Sequence, residues 1–233
     1  MENTVQLYHG STKIIETPEF GKGNPNNDYG LGFYCTENLE LAKEWACISR
    51  NGGYANTYTL EMTNLLMLEL TTPEYGILDW LAILVNNRTF NISSQFATEA
   101  KEYLTEEFLP DISMFDVITG YRADDSYFTF ATDFLSNAIS LRQLSRAMYL
   151  DELGEQFVIK SSGAFNKLKY IGNELVDGDV YFLKRSKRDR DAREQYLKRE
   201  RKTERKPDDI YMINILNEEM KRDDSRLQKN LLI

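Results

Sequence analysis

Strand-like and helix-like segments follow one another irregularly along this chain, and their order limits the folds open to it. Alternating or continuous apolar residues predict strands at residues 5–11, 33–36, 116–120 and 154–161, and two further strands within 57–70. A doubly wound parallel sheet would need a regular β-α-β alternation, which this order lacks. The pattern therefore predicts an α+β fold with helices inserted between strands.

Helical spacing of apolar residues fills much of the sequence between these strands. It predicts one helix at residues 39–46, two within 77–109, one at 127–136 and one at 141–149 that begins at the N-cap residue Ser140. These helices are the insertions of the α+β fold.

The composition is that of an ordinary soluble globular chain. The 233 residues are 42% hydrophobic and 28% charged, which suits one large domain or a domain with an appendage. The sequence has two cysteines, no charged-then-apolar leader pattern, and no apolar run near the roughly 18 residues that a membrane span needs. We expect a cytoplasmic protein that does not associate with membranes.

Charge is distributed unevenly and suggests a boundary in the chain. Residues 184–206 carry twelve Lys and Arg against five Asp and Glu, a net +7, whereas the rest of the chain is at −16. We predict a domain at 1–178 and a charged, mostly helical extension at 179–233. The basic segment is typical either of a helix with i,i+4 ion pairs, the commoner case, or of a surface that contacts nucleic-acid phosphates.

Several catalytic classes are disfavoured by what the sequence lacks. It contains no phosphate-binding P-loop, and Gly30-Leu31-Gly32 lacks the third glycine of a dinucleotide fold. With one histidine, His9, and two cysteines far from any CxxC spacing, a zinc site is not expected. Asp124-Asp125 is an acidic pair before a helix, which favours an N-terminal cap over a metal site. We predict no metal.

Three short motifs occur in a fixed order. Residues 7–11 read Leu-Tyr-His-Gly-Ser, residues 29–36 read Tyr-Gly-Leu-Gly-Phe-Tyr-Cys-Thr, and residues 154–159 read Gly-Glu-Gln-Phe-Val-Ile. Together they resemble the ADP-ribosyltransferase superfamily of the diphtheria-toxin and poly(ADP-ribose) polymerase type. The chain is most similar to bacterial and phage members that are uncharacterised and toxin-like, which residues 122–127 and 218–224 also resemble. The resemblance implies split mixed and antiparallel β-sheets around a cleft for NAD.

The resemblance also implies roles for individual residues. Tyr34 would stack on the nicotinamide, and His9, Gly10 and Ser11 would hold the nucleotide, with NAD as the co-substrate. Cleavage of NAD passes through an oxocarbenium-like state with neutral nicotinamide leaving, so it needs a stacking ring, donors for the amide and a group on the ribose hydroxyls. Each residue alone is more simply explained by packing, and only their co-occurrence favours a nucleotide site.

The third motif leaves two candidates for the group on the ribose. The superfamily usually has a glutamate there, and the Phe-Val-Ile register puts Gln156 in its place, with Glu155 beside it. Since successive strand residues point to opposite faces, only one of the two can enter the cleft. The resemblance favours Gln156, which would orient the hydroxyl but stabilise positive charge less than a carboxylate would.

The sequence therefore predicts an NAD-dependent ADP-ribosyltransferase that acts as a toxin-like effector. Its acceptor would be a macromolecule, protein or nucleic acid, and a small antitoxin protein would be a further partner. The alternative is a non-catalytic NAD- or nucleic-acid-binding module that keeps the fold, with Gln156 as the mark of lost catalysis. A 2′-phosphotransferase of the same superfamily is disfavoured because it would need arginine and histidine anchors for the phosphate, and the chain has a single histidine.

Overall fold

A computed structural model describes residues 3–72, 74–90, 94–123, 125–148 and 154–229. Its strands are β1 (Thr4–Ser11), β2 (Phe33–Cys35), β3 (Gly53–Glu61), β4 (Met67–Glu69), β5 (Val117–Tyr121), β6 (Glu155–Ile159) and β7 (Leu168–Val176). Its helices are α1 (Leu39–Ala46), α2 (Ile77–Asn87), α3 (Gln95–Glu107), α4 (Asp125–Leu135), α5 (Leu141–Met148), α6 (Ser162–Asn166), α7 (Gly178–Gln195), α8 (Met212–Asn217) and α9 (Ser225–Lys229), with a π-helical turn at Tyr196–Glu200.

The strands form two sheets, which confirms the predicted α+β class. One sheet is antiparallel, with the order β1-β3-β7, and the other has the order β2-β6-β5-β4. In the second sheet β4 runs parallel to β5, while β2 and β5 both run antiparallel to β6. The finer prediction of an ADP-ribosyltransferase-like split sheet remains a prediction.

The apolar faces of the two sheets share one core. Alternation along each strand places its apolar residues on the inner face. Leu7 and Leu60 from the first sheet pack with Val117, Phe157 and Ile159 from the second, and all but Phe157 are fully buried. This packing holds β1 and β6, which carry the first and third motifs, in one unit.

Two strand predictions were incomplete. Residues 57–70 do contain strands, but β3 begins earlier, at Gly53, and β4 pairs with β5 in the other sheet instead of with β3. Strand β7 was not predicted at all, because Lys169, Gly172 and Asn173 interrupt its apolar pattern. The helices came closer: Ser140 caps α5 by accepting a hydrogen bond from the Gln143 N–H (3.3 Å), as predicted.

Contacts within the chain define two compact units. The first comprises residues 1–69, 111–122 and 154–188 and holds both sheets; the second comprises 70–110, 123–153 and 189–233 and is helical. This grouping differs from the division at residue 178, which stays a prediction. Among the residues that the structure describes, no helix is long and apolar enough to cross a membrane.

The first part of the basic segment docks on helix α1 within the first unit. Lys184 Nζ lies 2.7 Å from the Glu40 carboxylate at the surface. Arg188 forms an ion pair with Glu44 in which both side chains are largely buried. The predicted i,i+4 ion pairs occur further along the segment, at Arg193–Asp189 and Lys198–Glu194. The interpretation of phosphate binding stays a prediction.

In the second unit, buried polar contacts attach the chain's tail to the helices. Arg142 of α5 makes a bidentate ion pair with Asp209, with distances of 2.7 and 2.8 Å. The Tyr196 hydroxyl, in the π-helical turn, donates to the Asp133 carboxylate at 2.6 Å. Tyr196 is fully buried, so this turn is part of the unit's core.

Candidate functional site

The first two sequence motifs meet where β1 passes the end of β2. The Tyr8 N–H donates to the Thr36 carbonyl (2.8 Å), and the Thr36 N–H donates to the Tyr8 carbonyl (2.9 Å). This isolated antiparallel bridge joins the two sheets at a seam. One motif supplies each of the two residues, so the motifs are tied together by backbone.

An open pocket lies at this seam. Its volume of about 590 Å³ falls in the range typical of small-molecule sites. It combines Tyr8 in the middle of β1, the residue after β2, the start of α1, one residue of β5 and the start of β6, the strand of the third motif. The lining residues are Tyr8, Thr36, Glu37, Asn38, Leu39, Thr119, Gly154, Glu155, Gln156 and Phe157.

Strand alternation separates the two candidates of the third motif. Glu155 is the first residue of β6, lies opposite Tyr121 of β5, and is exposed. Gln156 lies opposite Gly120 and is only 4% exposed. Although both residues line the pocket, Glu155 is the one whose side chain is open to solvent.

The Gln156 amide is engaged in a buried hydrogen bond. Its Nε2 donates to the Asp28 carboxylate at 2.6 Å, and Asp28 is also only 4% exposed. Asp28 belongs to the loop at residues 12–32, which connects β1 to β2. The Gln156 side chain therefore anchors that loop to β6.

Four further hydrogen bonds hold the same loop. The Tyr34 hydroxyl donates to the Gly30 carbonyl (2.6 Å) and accepts from the Tyr29 N–H (3.1 Å). Lys160 Nζ donates to the Tyr29 carbonyl (2.6 Å), and the Tyr29 hydroxyl donates to the Tyr121 carbonyl (2.7 Å). Burial lowers the pKa of Lys160. The Tyr34 hydroxyl thus holds the loop in place, and the stacking of Tyr34 on nicotinamide stays a prediction.

His9 lies on the inner face of β1, in contact with β2. Its ring stacks on Phe33 with centroids 4.4 Å apart and planes 29° apart, and its Nδ1 is 2.6 Å from the Tyr34 carbonyl oxygen. Because a carbonyl oxygen only accepts hydrogen bonds, Nδ1 carries the proton and Nε2 is the acceptor of the neutral ring. Burial lowers the pKa of His9, against the opposing effect of this hydrogen bond.

We predict that His9 is a neutral Nδ1–H tautomer at pH 7, with a pKa below 6.5. The unfolded state takes up a proton at the ordinary pKa of histidine, whereas the native state takes it up only at lower pH. The free energy of unfolding should therefore fall as pH drops below about 6.5. Nitrogen-15 NMR of the chain's single histidine measures both properties. His9→Asn, which keeps a donor for Tyr34, should show a weaker fall in melting temperature between pH 7 and 5. An Nε2–H tautomer or a raised pKa would contradict the assignment.

Gly10 and Ser11 have local roles in the structure. The Gly10 backbone packs directly against α1, next to Trp45, whose ring stacks on the Arg122 guanidinium at 4.6 Å. The Ser11 hydroxyl accepts a hydrogen bond from the Lys13 N–H (3.1 Å) in the turn after β1. Their predicted contacts to a nucleotide stay predictions.

The structure thus divides the predicted site residues into two groups. Glu155 and Gln156 line the seam pocket, whereas His9, Gly10, Ser11 and Tyr34 lie outside its lining. His9 and Gln156 are both linked to the segment of the second motif, the first through the Tyr34 carbonyl and the second through Asp28. Asp124 and the side chain of Asp125 lie outside the described residues.

Sequence reasoning did not select several residues that matter to this site. Asp28 and Lys160 fix the loop, and Tyr8 and Thr36 form the seam. Tyr8 and Thr36 lie inside the first and second motifs, so the motifs themselves pointed to them, but nothing in the sequence marks Asp28 among the polar residues of its loop. Within the described ranges, no group of three or more His, Cys, Asp or Glu is placed to hold a metal ion.

Fold and site together define an α+β protein with two small sheets joined at a seam that carries an open pocket. The chain belongs to the family described as "Protein of unknown function (DUF3990)", whose model matches residues 5–170. The matched region includes all three motifs and the strands that line the pocket. No curated protein and no solved structure matches the chain.

Proposed function

We propose that this protein is an NAD-dependent ADP-ribosyltransferase that modifies a macromolecule as a toxin-like effector. The observation that carries the proposal is the convergence of the three motifs: β1 and the segment of β2 are bridged at Tyr8 and Thr36, and the third motif lines the pocket beside that bridge. The resemblance of the same motifs to ADP-ribosyltransferases supplies the chemistry.

Glu155 is the residue that the geometry favours for the reaction. The glycosidic bond between the ribose C1′ and the nicotinamide nitrogen breaks with its electron pair leaving on nicotinamide, and the ribose gains positive charge. A carboxylate at the pocket stabilises that charge and accepts the ribose 2′-hydroxyl proton in a hydrogen bond. Glu155 is exposed at the pocket, while the Gln156 amide is bonded to Asp28.

The remaining lining suits a ribose. The hydroxyl groups of Tyr8, Thr36 and Thr119 and the amide of Asn38 offer donors and acceptors to sugar hydroxyls. His9, Gly10 and Ser11 lie outside this lining and would hold the rest of the nucleotide. An acceptor nucleophile of the target then attacks C1′ and its proton leaves to solvent or to Glu155. The target is a protein or a nucleic acid, and a small antitoxin protein is a further proposed partner.

One observation favours a second candidate, the non-catalytic binding module. The residue at the position of the superfamily's usual glutamate, Gln156, is buried against Asp28. In that alternative the pocket binds NAD or a nucleic acid, and nicotinamide is not released.

The deciding experiment incubates the protein with NAD labelled in the adenylate phosphate, with and without cell lysate. We expect label on protein or nucleic acid, together with release of nicotinamide, and loss of both when Glu155 is replaced by Gln. Binding of NAD without nicotinamide release would favour the binding module. Absence of both binding and release would refute the proposal.

A further inference from the structure

Asp28 and Gln156 form a buried pair of a carboxylate and a carboxamide. Each residue is 4% exposed, and the Nε2 to Oδ2 distance is 2.6 Å. At this distance a glutamate at 156 would set a second carboxylate against the first. Two like charges in contact and away from water are strongly unfavourable, so one of them would have to take up a proton. The presence of Asp28 thus accounts for an amide at 156.

The pair also lies at the centre of the contacts that hold the loop. Gln156 is the second residue of β6, and Lys160 directly follows Ile159, the last residue of that strand. They bind consecutive residues of the loop, Asp28 and Tyr29, and the Tyr34 hydroxyl binds Gly30. These contacts hold loop residues 28–30 against β6, the strand that begins with Glu155, and we call them the clamp.

We propose that Asp28 is a positioning residue, which fixes the Gln156 side chain and so holds the second motif and the start of β6 in register at the pocket. On this basis Gln156 is a structural partner of Asp28, and its identity is no sign of lost catalysis. The effect on activity rests on the proposed function, whereas the clamp itself does not.

The test exchanges donor and acceptor within the pair. Gln156→Glu should lower the melting temperature by about 5–10 °C, because it buries two opposed carboxylates. Asp28→Asn keeps an acceptor for Gln156 and should cost less. The double variant Asp28→Asn/Gln156→Glu restores one amide and one carboxylate in reversed positions and should recover most of the loss. The Gly30 N–H donates to the Asn27 carbonyl oxygen at 2.9 Å. Its hydrogen exchange should be fastest in Gln156→Glu and slower in Asp28→Asn and in the double variant.

A matched control is available on the surface. Gln95 Nε2 donates to the Glu99 carboxylate at 2.8 Å, and both residues are exposed. Gln95→Glu creates the same pair of carboxylates in water, where the penalty is small, and should change the melting temperature by less than about 2 °C. A double variant no more stable than Gln156→Glu, or equal losses from the buried and surface changes, would overturn the clamp.

Activity measurements separate this inference from the proposed function. If the protein consumes NAD, Gln156→Glu should lower kcat more than it raises KM, and the double variant should recover kcat, because the catalytic carboxylate is unchanged and only its placement is disturbed. Unaltered kcat in a Gln156→Glu variant with a mobile loop would refute the positioning role. If no variant consumes NAD, the proposed function fails, and the thermal and exchange data still decide whether the clamp exists.

Discussion

If the protein is the proposed transferase, Glu155→Gln should reduce nicotinamide release from NAD by on the order of 100-fold or more, because it removes the negative charge proposed to face the developing oxocarbenium ion. NAD affinity should change little, since the ground state carries no such charge on the ribose. The substitution lies at an exposed position and preserves the shape of the side chain, so the fold should be unaffected. Nicotinamide release measures the first effect, and calorimetry measures the second.

The control for this prediction is Glu16→Gln, which removes an exposed carboxylate outside the lining of the pocket. It should release nicotinamide at the parent rate. Gln156→Ala should lower the melting temperature, because it removes the hydrogen bond to the Asp28 carboxylate. If instead Gln156→Ala were inactive with an unchanged melting temperature, and Glu155→Gln fully active, Gln156 would be the catalytic group.

Local patterns predicted the parts of the fold that depend on local sequence. The apolar alternation of β1 and the continuous apolar run of β6 identified both strands, and Ser140 marked the start of α5. Strand pairing is a different matter, because it depends on contacts between distant residues. The partnership of β4 with β5 across 50 residues leaves no local signal, so residues 57–70 were interpreted as adjacent strands.

The candidate site shows the same limit at single-residue resolution. Strand alternation predicted that only one of Glu155 and Gln156 would enter a cleft, and the resemblance favoured Gln156. In the structure both residues line the pocket, and Glu155 is the exposed one. Their placement depends on the pairing of β5 with β6, which leaves no local signal. The role of Asp28 could not be predicted for a related reason. Its loop has no periodicity, and the carboxylate gains its partner only when the loop folds over β6.

Gly10→Ala should destabilise the protein by about 3 kcal/mol or more, because the strand carrying His9 lies against the backbone of α1. A Cβ added at Gly10 would fall 2.0 Å from the Ala42 carbonyl oxygen and 2.6 Å from the Ala46 nitrogen. These are main-chain atoms of a helix, so no side-chain rotation relieves the overlap, and α1 must move as a body. Asn38 and Leu39 at the start of α1 line the pocket, so its shape should change as well.

Chemical denaturation of Gly10→Ala and of Gly172→Ala provides the comparison. Gly172 is also a strand glycine, and an added Cβ there meets nothing within 4 Å, so this variant should stay within about 0.5 kcal/mol of the parent. The difference between the two isolates the contact with α1 from any general effect of replacing a strand glycine. Equal stability of the two variants would mean that α1 does not lie against β1 as described, and the placement of the pocket beside Tyr8 would be wrong.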